Sequence, residues 1–244
     1  MAGASALSLQ GVEVAAAGRT VCRGVDLDLP HGEIHVLFGP NGSGKSSLLS
    51  AIMGLPGYEL TAGRALLDGT DLTELDLAGR ARAGLGIAYQ RPPAINGVSI
   101  AALAESLGAT GHLREEEAAL DLVNFESRDV NSGFSGGEIK RWEILKLFLQ
   151  QPEVCLFDEP ESGVDLEHIA AVGAAIERLL AQPAPSGRPR SALIITHTGF
   201  ILDYVKATTG HMMIDGHIVY SGPAAELFDH IRNHGYSVPG ASAA

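Results

Sequence analysis

The stretch Glu33-Ile-His-Val-Leu-Phe38, followed at once by Gly39-Pro40-Asn41-Gly42-Ser43-Gly44-Lys45-Ser46-Ser47, decides how the rest of the chain is read. Its first six residues have the composition of a short buried strand, and from Ser46 to Met53 apolar residues continue at helical spacing. The segment between them fits G-x-x-x-x-G-K-[ST] with the strand before it and the helix after it that give this pattern its meaning. Its glycines let backbone N–H groups converge on phosphate oxygens at a helix N-terminus. Lys45 is placed to neutralise β- and γ-phosphates, and the Ser46 hydroxyl to ligate Mg²⁺. Gly39 to Ser47 are therefore candidate phosphate ligands.

Upstream, Leu7 to Val14 and Thr20 to Leu29 cluster β-formers around a turn at Gly18-Arg19, which predicts two antiparallel strands. Downstream, Gly86-Ile-Ala-Tyr-Gln90 reads as a strand stopped by Pro92 and Pro93, and Ser99 to Leu107 and Arg114 to Leu122 have helical composition. Residues 92–150 are read as a helical subdomain, set within a core of 1–91 and 151–244. Val154 to Phe157 and Ala192 to Thr196 are apolar runs suited to a parallel sheet covered on both faces, with Leu166 to Leu180 as the helix between them. Gln182 to Arg190 reads as a surface loop. Met213 to Tyr220 reads as a hairpin turning at Asp215-Gly216, followed by a helix from about Pro223 to Asn233.

The run Val154-Cys-Leu-Phe ends in Asp158-Glu159-Pro160, two carboxylates at the tip of one strand. Asp158 is the candidate for holding Mg²⁺ and Glu159 for orienting and polarising an attacking water as general base. A third element is Phe134-Ser135-Gly136-Gly137-Glu138. Ser135 with Glu138 three residues on makes a helix capping box, but a cap does not call for two glycines. Glycines there leave backbone N–H groups bare at a positive helix end, which suits an anion.

At this point the chain resembles the ABC ATPases, whose L-S-G-G-Q signature is matched with Phe134 for Leu and Glu138 for Gln. The resemblance covers nearly the whole chain and implies an α/β fold with a mainly parallel core sheet, an amino-terminal antiparallel β subdomain and a helical subdomain. It implies ATP hydrolysis with Mg²⁺ and identifies Gln90 with the Q-loop glutamine that senses the metal. Ser162-Gly163-Val164-Asp165 is similar to the D-loop, and His197 to the switch histidine that contacts the γ-phosphate. In this family Ser135, Gly136, Gly137 and Glu138 of one subunit complete the phosphate site of another, which implies ATP-dependent pairing with a second copy.

Within the family, the run Phe134 to Leu145 is similar to the F-S-G-G-E-x-K-R-x-E-I-L of the SufC-like ATPases of iron–sulfur cluster assembly. Glu161 stands where transporter ATPases usually carry Thr, with Ser162-Gly163 following as in that group. The stretch from Gln90 to Ser99, the Asp215 to Gly222 hairpin and Gly235-Tyr236 also resemble it. The segment between Gln90 and Ser135 is short for the group, and Val14 to Arg19 offers no aromatic residue to stack on adenine. The partners implied are SufB/SufD-like soluble scaffold subunits; the rival reading is the nucleotide-binding subunit of a membrane ABC transporter.

Composition bounds these readings. A net charge of −12 with no basic stripe argues against nucleic acid. Apolar stretches such as Ala170 to Ile176 are far below the roughly 20 residues that cross a bilayer, so direct membrane insertion is not expected. No secretory signal pattern is read at Met1 to Ser5, and a cytoplasmic location is expected. Cys22 and Cys155 read as reduced core residues, and Trp142 as core packing in preference to a partner contact.

Overall fold

A strand that is apolar on both faces needs a layer on each side, and this chain has a central group of such strands. The computed structural model describes residues 5–240. In order they form β1 (Ser5–Ala16), β2 (Arg19–Pro30), β3 (Ile34–Phe38), α1 (Lys45–Met53), β4 (Tyr58–Leu67), β5 (Thr70–Asp71), α2 (Leu77–Arg82), β6 (Leu85–Ala88) and β7 (Ile95–Ser99). There follow α3 (Ile100–Ser106), α4 (Thr110–Ala119), β8 (Asp129–Val130), α5 (Gly136–Gln150), β9 (Val154–Asp158), α6 (Leu166–Ala181), β10 (Ser191–Ile195), β11 (Thr209–Ile214), β12 (His217–Pro223) and α7 (Ala224–His234).

The central sheet has the order β12-β11-β3-β10-β9-β6, parallel throughout except for the edge strand β12. Alternate residues feed opposite cores, as strand geometry requires. Leu37, Leu193 and Leu156 pack with Leu48, Leu49 and Ile52 of α1 and with Leu7, Leu9 and Leu29 of the amino-terminal strands. Ala192, Ile194 and Phe157 pack on the other side against Trp142 and Phe148 of α5 and Val172 and Ile176 of α6. Trp142 is fully buried. Cys22 and Cys155 are free thiols whose burial pushes them up to about 11 and about 12, so both stay protonated core residues.

Five expectations need correction. The amino-terminal sheet is four-stranded, β2-β1-β4-β5; β4 was not read because most of it is exposed and Gly63 interrupts it. The segment 92–150 is not wholly helical, since β7 pairs antiparallel with β8. Strand β6 stops at Ala88, leaving Tyr89 and Gln90 in the loop beyond, and α4 spans Thr110–Ala119 instead of reaching Leu122. Arg190, placed by sequence at the end of a surface loop, is 1% exposed. Its guanidinium donates to Pro152 O at 2.9 Å, Leu179 O at 3.0 Å, Gln182 O at 2.9 Å and to the Gln151 side chain. It satisfies carbonyls left by the ends of α5 and α6 and so binds those helices to β10.

A second buried polar feature crosses β3, β11 and β12. His35 Nδ1 lies 3.0 Å from His211 Nε2, His211 Nδ1 lies 2.8 Å from Ser221 Oγ, and His35 Nε2 lies 3.0 Å from Glu33. Burial, with His35 adding to it, lowers His211 from 6.5 to about 4.

Two stability predictions follow from these groups. Arg190→Leu leaves several carbonyls unpartnered and should lower the unfolding free energy by about 3 kcal/mol, read by urea denaturation. His211 takes up its proton in the unfolded chain near 6.5 but in the folded chain only near 4, so its contribution is present above 6.5 and is lost as pH falls through that window. His211→Gln should therefore remove about 2 kcal/mol of the stability change between pH 7 and pH 5, measured as the difference between the two proteins. Equal pH dependence in both would show that His211 is not the titrating group.

Candidate functional site

The site lies where parallel strands end. β3 runs into the Gly39–Ser47 loop, β9 into Asp158-Glu159 and β10 into Thr196-His197, and these three strands are neighbours in the sheet. Open parallel sheets bind ligands in the crevice outside such carboxyl ends. A cleft of about 1060 Å³ occupies that position. Its walls include Pro40, Asn41, Gly42, Gly44, Lys45, Ser46 and Ser47 from one side and Gln90, Glu159 and His197 from the other.

The loop can follow its path only as glycine. At Gly39 a Cβ would lie 2.2 Å from Met213 O, and at Gly44, where φ is +104°, it would lie 2.9 Å from both Val21 O and Cys22 Sγ. The loop is thus wedged between β2 and the β11–β12 hairpin, and Gly216 N–H donates to Ser43 O at 3.0 Å. Lys45 is 4% exposed, and its ammonium donates to Gly39 O at 2.7 Å, Pro40 O at 3.0 Å and Ser43 Oγ at 3.3 Å. Burial lowers its pKa, against the pull of Glu159 and Asp158.

Ser46 Oγ donates to Asp158 Oδ1 at 2.9 Å, bringing together the hydroxyl and the carboxylate expected to hold Mg²⁺. Both are hard oxygen donors, and burial raises the Asp158 carboxyl, followed by the opposing hydrogen bond from Ser46 and the neighbouring charge of Glu159. A carboxylate beside a hydroxyl fits a cation such as Mg²⁺, which takes one or two protein oxygens and completes its shell with water and phosphate.

Glu159 is 9% exposed and holds φ of +49°, a left-handed conformation that costs a non-glycine residue on the order of 1 kcal/mol or more. Its N–H donates to Ile195 O at 3.1 Å, across to the end of β10. Its side chain is held at both oxygens: Oε2 accepts from Gln90 Nε2, and Oε1 lies 2.5 Å from His197 Nε2. The Q-loop residue, the acid and the histidine therefore form one cluster.

Ser135, Gly136, Gly137 and Glu138 are not among the residues of that cleft. They form the first turn of α5, capped in both directions, with Glu138 N–H donating to Ser135 Oγ at 3.3 Å and Ser135 N–H to Glu138 Oε2 at 2.8 Å. Ser135 and Gly136 are exposed, and nothing lies within 4 Å of a Cβ built on Gly137. The capping box uses the N–H groups of Ser135 and Glu138, which leaves those of Gly136 and Gly137 for an outside acceptor.

Four participants were missed by the sequence reading. Lys140, one turn into α5, is 5% exposed and donates to Glu159 O at 2.9 Å and Gln90 O at 3.0 Å, tying the signature helix to both other loops. Its neighbour Glu143 accepts from Tyr89 N–H at 2.8 Å. The similarity of the Phe134 to Leu145 run was the only signal for either. Tyr236, beyond α7, lines the cleft, and burial with the nearby charge of Glu159 raises its phenol. Glu161 also lines the cleft.

A glycine-rich phosphate loop, a strand-end carboxylate pair and a capped outward-facing signature helix on a parallel sheet define a nucleotide-binding cassette. The ABC transporter family model matches residues 22–162, and the chain belongs to that family, as an ATP-hydrolysing cassette of SufC-like type. It is 36% identical to vegetative protein 296 of Bacillus subtilis, over 96% of this chain and 92% of that protein. It is equally 36% identical to the probable ATP-dependent transporter SufC of Escherichia coli, over 94% of this chain and 97% of that one. Among solved structures, a nucleotide-free ATP-binding cassette from an ABC transporter superposes with a TM-score of 0.76 at 21% identity, covering 94% of this chain and 95% of that one. No helix among the described residues is long and apolar enough to cross a membrane.

Gly44→Ala should strain the loop and displace β2, lowering stability by about 1–3 kcal/mol and weakening ATP binding, read by denaturation and by calorimetric titration. Unchanged values in both would mean that the contact with Val21 and Cys22 does not set the loop's path.

Proposed function

We propose that the chain is the ATPase subunit of a soluble SufB/SufD-like scaffold that assembles iron–sulfur clusters. What carries the reading is that α5 grips the hydrolytic centre through Lys140 and Glu143, two residues of the stretch that resembles the SufC-like group. The near full-length identity to SufC of Escherichia coli supports it. The transporter reading remains the alternative, favoured by the family model's own description.

In the proposed reaction the Gly39–Ser47 backbone and Lys45 bind the phosphates, and Ser46, Asp158 and Gln90 would hold Mg²⁺. When bound, the cation would supply charge neutralisation at the β- and γ-phosphates. Glu159 orients a water and takes its proton as the water oxygen bonds to the γ-phosphorus. The bond from that phosphorus to the β,γ-bridging oxygen breaks, and ADP and phosphate leave. His197, beside Glu159, contacts the γ-phosphate. The first turn of α5, Ser135 to Glu138, meets the nucleotide of a second copy with the N–H groups of Gly136 and Gly137, so ATP draws two subunits together and hydrolysis releases them. Gln90 and Lys140 pass that motion to the segment 92–150, which meets the scaffold.

Glu159→Gln should keep ATP binding and lose about two to four decades of turnover, the usual worth of a general base. Wild-type turnover would remove Glu159 from that role. Lys45→Ala should instead lose affinity, and tight binding by that variant would overturn the phosphate-loop assignment. The partner is tested by detergent-free affinity capture of the tagged chain from its own cells. A soluble complex able to carry an iron–sulfur cluster is expected, whereas capture solely with polytopic membrane subunits would make the chain a transporter motor.

A further inference from the structure

The reaction above leaves one carboxyl of the cleft without a task. Glu161 follows the Glu159-Pro160 turn, lines the cleft and is 5% exposed. Its Oε1 accepts from the Thr196 hydroxyl and, at 3.1 Å, from the Thr198 hydroxyl, the residues on either side of His197. Thr196 Oγ1 in turn accepts from Gly199 N–H at 2.9 Å, which closes the turn after β10. The other carboxyl oxygen, Oε2, is buried with no hydrogen-bond partner among the described residues.

Burying a carboxyl with one oxygen unsatisfied is costly, and a hydroxyl or apolar side chain would avoid that cost. A purely structural carboxyl would be expected to be satisfied at both oxygens. Here all the side-chain donors to Glu161 come from the two residues that bracket the histidine. Its own backbone is tied into the same turn as Glu159, since Ser162 N–H donates to Glu159 O at 3.1 Å and Val164 N–H to Glu161 O at 3.3 Å. The carboxyl thus bridges the loop after β9 to the loop after β10 immediately behind the contact between Glu159 and His197.

We infer that Glu161 is a positioning residue for His197: its Oε1 clamps Thr196 and Thr198 so that the imidazole is presented to Glu159 and the γ-phosphate. The inference rests on the role proposed for His197. Because Oε1 acts as an acceptor of two hydroxyl protons, an amide oxygen can take its place, and the charge itself is not needed. Burial raises the Glu161 carboxyl, against the hydrogen bonds from Thr196 and Thr198 that lower it.

Steady-state ATPase measurements on the full chain test this, with Glu161→Ala, Glu161→Gln, His197→Ala and the double variant Glu161→Ala/His197→Ala. Glu161→Ala should lower kcat about tenfold with KM for ATP unchanged, Glu161→Gln should restore most of it, and the double variant should be no slower than His197→Ala, the signature of two residues acting as one unit. Multiplying losses in the double variant, or a Gln variant as slow as the Ala variant, would overturn the clamp. A slow His197→Ala beside a fully active Glu161→Ala overturns the clamp alone. Wild-type turnover by His197→Ala overturns the role of His197 and the clamp with it. If Glu161→Ala does not fold, Thr198→Val removes one donor; it should slow turnover about threefold in wild type and not at all in His197→Ala. Full activity of Thr198→Val in the wild-type background would count against the inference.

Discussion

The parallel register of β3, β10 and β9 is the constraint on which the site depends. Ile195 pairs with Leu37 on one side and with Asp158 on the other, so the three strands end almost flush. Backbone hydrogen bonds between buried strands hold that alignment, and a slip by one residue would turn every apolar side chain toward the wrong core. Because the ends are flush, the phosphate loop, the switch histidine and the acidic pair emerge side by side. The backbone bond from Glu159 to Ile195 O carries the alignment one residue past the sheet, into the left-handed backbone position that Glu159 occupies.

Around that frame, buried cations take the place that apolar packing alone would leave unstable. Arg190 gathers carbonyls from the ends of two helices, Lys140 gathers the carbonyls of Gln90 and Glu159, and Lys45 spans its own loop. Each is a long side chain whose apolar stem fits the core while its head satisfies main-chain oxygens that regular structure cannot. Lys140 differs in that the groups it joins belong to separate loops. Any movement of α5 is therefore tied to the loop carrying Gln90 and to the turn carrying Glu159 through one ammonium group.

Much of the fold was legible from pattern. The apolar runs at Val154 and Ala192, the Asp215-Gly216 turn and the paired opening strands are local signals, and the elements form where those signals lie. Strand β4 and the small β7–β8 pair were not legible, because exposed strands with interrupted alternation resemble loops until a neighbour supplies their hydrogen bonds. Arg190 misled for a similar reason: a charged residue after a Pro-Gly-rich stretch reads as surface, and only the convergence of α5 and α6 makes the interior polar enough to hold it.

What the sequence by itself determined about this protein was which residues are candidates to meet a phosphate. The phosphate loop, the carboxylate pair and the signature turn are contiguous residues whose spacing alone dictates how their backbone and side chains can meet a phosphate. Which residues would meet one another was decided only by the tertiary structure. Gln90, Glu159 and His197 lie on three different loops, and Glu161 reaches Thr196 and Thr198 across the gap between two strands. Such contacts depend on strand order and on helix docking, which are properties of the whole core, and no local pattern in the chain encodes them.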